Sequence, residues 1–136
     1  MLSNPLHEPI FDELGLRLVD WRPGCAAFEL AIERRHLNYS LRLHGGMVAM
    51  LLDVACGYAA MPEADGLPGG GVATVGLTVS YLAGAPGGKV RAIGQRTGGG
   101  RRIVFCSAEL AGEDGALIAT AQASMRVSPN ASRDAR

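Results

Sequence analysis

HGGMVAMLLDVACGYAA, residues 44–60, decides the reading of this chain. A His-Gly-Gly turn opens a stretch that is apolar almost throughout, with helix-forming residues and no proline before Pro62, so a helix is expected to run from His44 to about Met61. One carboxylate, Asp53, stands inside it. An unpaired ionised Asp in apolar surroundings costs several kcal/mol, roughly, so Asp53 calls for a partner or an aqueous cleft. The two glycines lie where the first amides of a helix have no intrahelical acceptor and carry the positive end of the helix dipole. Without a Cβ, an electronegative ligand atom can approach them closely.

Working outward, Pro9 to Leu14 reads as a short helix, and Leu16–Trp21 and Ala26–Ile32 read as strands about an Arg22-Pro23-Gly24 turn. A loop from Glu33 to Leu43 leads into the central helix. Beyond the glycine-rich loop Gly66–Gly71 the pattern is strand throughout: Val72–Ala83, Lys89–Thr97, Arg101–Ala111 and Ala116–Val127. In the first of these, Ala73, Val75, Leu77, Val79 and Tyr81 alternate with Thr74, Gly76, Thr78 and Ser80. The order strand, strand, helix, four strands predicts an α+β domain in which an antiparallel sheet wraps one long central helix. At 100° per residue Met47, Met50, Leu51, Val54, Ala55 and Tyr58 form the expected sheet-facing stripe. Asp53 then shares a face with Gly46, Ala49, Cys56, Gly57 and Ala60, small residues suited either to the protein's own loop or to a second subunit.

The 136 residues fit one domain, with a core at about 14–127 and a tail, 128–136, expected to be poorly ordered. With 48% hydrophobic and 19% charged residues the chain has no signature of disorder, and its 13 basic and 13 acidic residues argue against nucleic acid as a partner. Five basic residues and no acidic one fall between Lys89 and Arg102, enough for a small anionic ligand and equally compatible with a solvated hairpin edge. Three widely spaced cysteines, Cys25, Cys56 and Cys106, read as buried small hydrophobes, which fits a reducing cytoplasm. No secretory leader or membrane span is apparent, so the Asn130-Ala131-Ser132 glycosylation triplet has no expected use. His7, His36 and His44 lack metal-ligand spacing, no Gly-x-Ser-x-Gly elbow occurs, and Gly88-Lys89 lacks the rest of a phosphate-binding loop. Neither a metal nor a cofactor is expected.

Asn38, His44-Gly45-Gly46, Leu52-Asp53 and Gly57, followed by the strand TVGLTVSYLAGA, match a known pattern without gaps from Asn38 to Asp53. The chain resembles the hotdog-fold acyl-CoA thioesterases of the phenylacetate-pathway (PaaI-like) type over about residues 14–127. That resemblance implies that the Gly45 amide polarises a thioester carbonyl and that Asp53 acts as nucleophile or as general base on water. It further implies that His44 positions the turn, that Asn38 lies near the acyl or water site, and that Thr74 orients the attacking water. Gly100, Arg101 and Arg102 fall where relatives hold coenzyme A phosphates.

Gly45 and Asp53 are eight residues apart, about 12 Å along a helix, so one carbonyl cannot touch both within a chain. If they act together, each must come from a different subunit, as a two-fold homodimer provides; assembly into a homotetramer is expected. The alternative reading is a non-catalytic acyl-CoA sensor or binding module, which has no use for an anion beside a thioester. A hydratase is disfavoured because its His-plus-carboxylate loop is missing. Met50, Tyr58, Tyr81 and Leu82 are candidates to line an acyl pocket, aromatic or medium-chain.

Overall fold

Pro9 at the start of a helix and Gly15, left-handed at φ 79°, just past its end delimit α1 (Pro9–Leu14). The computed structural model describes residues 8–128; the segment 129–136, with most of the expected tail and its glycosylation triplet, lies outside them. Strands β1 (Arg17–Arg22) and β2 (Cys25–Ala31) follow as a hairpin, then a 3-10 turn at Arg34–His36 and the central helix α2 (Gly45–Ala60). Glu63–Ala64 (β3) and Leu67–Pro68 (β4) form a small separate hairpin. The remaining strands are β5 (Gly71–Tyr81), β6 (Lys89–Gly99), β7 (Ile103–Gly112) and β8 (Leu117–Ser128). Ser128, assigned to the tail from sequence, is the last residue of β8 and pairs with Gly71.

The six long strands make one antiparallel sheet in the order β1-β2-β6-β7-β8-β5, with α2 packed on one face. The β3–β4 hairpin is absent from the sequence reading, which took Gly66–Gly71 as loop. Two-residue strands carry no legible alternation, and Asp65 and Gly66, both at positive φ, make its turn.

The helix is rotated by about a quarter turn from its expected setting. Val48, Leu51, Leu52, Ala55 and the run from Cys56 to Ala60 are the residues it buries, whereas Met47, Met50 and Val54 are only partly covered. A helix apolar on nearly every side does not reveal by periodicity which face meets the sheet. The contact is set by small residues: a Cβ on Gly94 of β6 would lie 2.2 Å from the Ala55 carbonyl oxygen, so the bare glycine lets the helix settle on the sheet. Cys56, Gly57 and Ala60 are therefore buried by the protein's own strands, leaving Gly46 and Ala49 as the open part of the small-residue face.

Tyr58, expected near an acyl pocket, is instead core. Its ring meets Phe28 edge-on at 5.1 Å and Phe11 at 5.9 Å, and its carbonyl accepts a 2.8 Å hydrogen bond from Trp21 Nε1.

The alternation expected for β5 is broken by a bulge between Thr74 and Gly76. Thr74 pairs with buried Met125, while Leu77, Val79 and Tyr81 pair with buried Ala123, Ala121 and Ala119, so all four face the helix. Thr74 and Tyr81 are seven positions apart and in an unbroken strand would point to opposite faces. The extra residue at Val75 brings both to the helix side. As the sheet's last strand, β5 leaves one edge unpaired among the described residues along its 11 residues, a template for another strand.

Candidate active site

His44 is the N-cap of α2: its Nδ1 accepts a 2.8 Å hydrogen bond from the Gly46 N–H, and its carbonyl accepts from Met47 and Val48 at 2.9 and 3.1 Å. That leaves the Gly45 N–H without an acceptor among the described residues. Its direction follows from peptide planarity. The His44 carbonyl points down the helix, so the Gly45 N–H of the same trans peptide points out from the helix start. The bonded Nδ1 fixes the neutral tautomer of His44, with the proton on Nε2.

His36 supports this turn from below, a role the sequence reading missed because a histidine between arginine and leucine gives no periodic signal. It is 1% exposed and fully bonded: Nδ1 accepts from the Glu33 N–H (2.9 Å), Nε2 donates to the Leu14 carbonyl (2.7 Å), and its own carbonyl accepts from the His44 N–H (2.8 Å). It ties α1 to the start of α2 and has no ring nitrogen left for chemistry.

Asp53 is half-buried two turns further along α2. Thr74 Oγ1 donates to Asp53 Oδ1 at 2.7 Å, bringing together two residues chosen from sequence. One carboxylate oxygen is thereby oriented, and Oδ2 remains for a further donor. Next to it on the helix, burial, neighbouring Cys106 and the charge of Asp53 together push the Cys56 thiol from its ordinary 9.0 up to about 12. Burial likewise raises Cys106 to about 11 against the pull of Arg96. Both are protonated and unreactive at neutral pH, as expected of packed hydrophobes.

The other expected residues lie apart. Asn38 organises its own loop: Oδ1 accepts from the amides of Ser40 (2.9 Å) and Arg42 (3.1 Å), around a left-handed Leu41 at φ 58°. Gly100, Arg101 and Arg102 form the β6–β7 turn at the opposite end of the helix, where Gly100 and Arg101 help line a cavity of about 480 Å³ beside Ala59, Ala60 and Met61. The basic run divides there. Lys89 and Arg91 sit against Glu29 at 3.6 and 4.0 Å, whereas Arg101 and Arg102 are exposed and have no ion pair among the described residues. Nor could any group of three His, Cys, Asp or Glu among the described residues hold a metal ion, and no helix there is long and apolar enough to cross a membrane.

Comparison with known proteins agrees with this architecture. Residues 42–119 match the model of the thioesterase superfamily, and the chain belongs to that family. Its fold is shared with the conserved protein PA5202 from Pseudomonas aeruginosa (TM-score 0.80, 24% identity, 90% of this chain and 95% of that one). A thioesterase family protein from Silicibacter pomeroyi superposes at TM-score 0.78 with 29% identity over 88% and 89% of the two chains. The PaaI protein of the E. coli phenylacetic acid degradation operon superposes at 0.77 with 17% identity over 88% and 84%. No curated protein matches the chain in sequence. The hotdog fold and the thioesterase class inferred from residues 38–57 are both borne out.

Proposed function

We propose that the protein hydrolyses an acyl-CoA thioester to the free acid and coenzyme A. The observation that carries this reading is the pairing, on one helix, of an outward Gly45 N–H that has no acceptor among the described residues with an Asp53 carboxylate oriented by Thr74. In the proposed reaction the Gly45 amide binds the thioester oxygen as negative charge develops there. Asp53 Oδ2 takes a proton from water as the water oxygen bonds to the acyl carbon. The C–S bond then breaks, and the proton passes to the departing thiolate. Direct attack by Asp53, with hydrolysis of the resulting anhydride, uses the same two groups. Arg101 stands beside the last turn of α2, about 10 Å along the axis from Asp53, a place suited to the phosphates of the coenzyme arm.

The site is read as shared within a homodimer. Antiparallel pairing of two β5 edges about a two-fold axis at Thr78, with Val75 left out of the pairing as the bulged residue, sets Thr74 opposite Tyr81 of the partner subunit, with both helices on one side of a continuous sheet. Asp53, on Thr74, would then face the partner's Gly45, which its own Tyr81 touches. A homotetramer would be two such dimers.

Release of free thiol from a panel of acetyl-, hexanoyl-, benzoyl- and phenylacetyl-CoA tests the reading. Turnover of at least one, lost in Asp53→Asn, supports it; binding of the panel without turnover would favour the acyl-CoA sensor instead.

A further inference from the structure

We propose that the Tyr81 hydroxyl is a positioning group for the reaction, bracing the glycine pair that aims the Gly45 amide. This rests on the hydrolase reading above. Tyr81 Oη donates a 2.7 Å hydrogen bond to the Gly45 carbonyl, and a Cβ built on Gly45 would lie 3.4 Å from the Tyr81 ring. The peptide between Gly45 and Gly46 is thus held at both ends by side chains: its C=O by Tyr81 and its N–H by His44 Nδ1. Two successive glycines are the most freely moving start a helix can have, and among the described residues α2 has no other side-chain hydrogen bond within its first turn. A tilt of that peptide turns the neighbouring Gly45 N–H away from its target.

Packing alone does not account for Tyr81. Within the chain the residue is 56% exposed, so its hydroxyl bond to the Gly45 carbonyl is not a by-product of burial in the core. It reaches the helix because the Val75 bulge resets the strand's alternation, and the same bulge carries Thr74 to Asp53. One irregularity in β5 therefore delivers a hydroxyl to each half of the chemistry.

The test compares wild type with Tyr81→Phe, which keeps the ring and removes the bond. Using the wild type's best thioester from the panel, kcat is expected to fall about fivefold with KM within about twofold, the rate equivalent of one neutral hydrogen bond lost without loss of substrate contact. Deuterium exchange of peptides covering residues 43–51 is expected to accelerate in the first turn while the melting temperature holds. An unchanged kcat, a rise in KM alone, or unaltered exchange at the helix start overturns the brace. A wild type inert towards every thioester overturns the hydrolase reading itself, and it is seen before any variant is compared.

Discussion

Thr74 Oγ1 and Asp53 Oδ1 are joined by a 2.7 Å hydrogen bond across the gap between β5 and α2. The donor must be the hydroxyl, since the ionised carboxylate only accepts, so Thr74 holds Asp53 without taking its proton-accepting capacity. Asp53→Asn is expected to lower turnover by about two to four orders of magnitude in a folded protein, as for loss of a base or nucleophile. Thr74→Val removes only the orienting bond and should cost about tenfold or less. Circular dichroism and thiol release on both variants check this, and near-normal turnover in folded Asp53→Asn would end the mechanism.

Gly45 and Gly46 are expected to respond oppositely to alanine. At Gly45 a Cβ meets Tyr81 at ordinary van der Waals distance and the backbone φ is not left-handed, so Gly45→Ala should hold or raise stability by about 0.5 kcal/mol while its methyl obstructs the amide and activity falls. At Gly46 the Cβ would sit 3.0 Å from His44 Nδ1, displacing the cap, and Gly46→Ala should lower stability by about 1 kcal/mol. Thermal melts beside kinetics separate the two; equal melting temperatures would deny the cap its role.

The hotdog architecture was legible because its signals are long: a sixteen-residue helix apolar but for Asp53, and four strands of ten or more. The motif placed Asp53 and Gly45 on one helix, and the strand pattern placed Thr74 near its start. Periodicity could not show that Thr74 faces Asp53, because one bulged residue inverts the alternation and Val75 looks like any strand valine. Nor could it set the helix rotation, which depends on Gly94 meeting Ala55 across the sheet. His36 and Tyr81 act through hydrogen bonds to backbone atoms distant in sequence, a relation without a local pattern.

The buried thiols give a pH prediction. Cys56 and Cys106 keep their protons in the native chain to about 12 and about 11, whereas the unfolded thiols ionise near 9.0. Above pH 9 the unfolded state binds fewer protons, so their contribution to stability is complete below that value and is lost as pH rises towards the native values. The urea midpoint should be lower at about pH 10.5 than at about pH 8, and the fall should be shallower in a Cys56→Ala, Cys106→Ala double variant. With Ellman's reagent at pH 8, half-buried Cys25 should react first, and rapid labelling of all three would contradict the packing.

Arg101 and Arg102 have no acidic partner among the described residues, so replacing both with Ala should leave the fold intact. If they hold coenzyme phosphates, KM for an acyl-CoA rises more than KM for the same acyl group on N-acetylcysteamine, and the difference shrinks at high ionic strength. Equal effects on both substrates would reduce the pair to a solvated edge.

The proposed sharing of the site makes the most demanding prediction, because on that reading neither chain has the catalytic unit alone. Gly45 and Asp53 lie about 12 Å apart on α2, so an Asp53→Ala chain lacks one half of both sites in its homodimer, and a chain blocked at the helix start by Gly45→Pro lacks the other. Each homodimer is expected to be inactive. In the heterodimer, one site carries both lesions and its two-fold mate carries neither, so activity should return to about half that of wild type. Co-expression with two tags and sequential purification isolates that species, and mass spectrometry verifies its composition. Purified heterodimers as inactive as the parents, with both chains folded, would show that the Gly45 amide and the Asp53 carboxylate do not meet across β5.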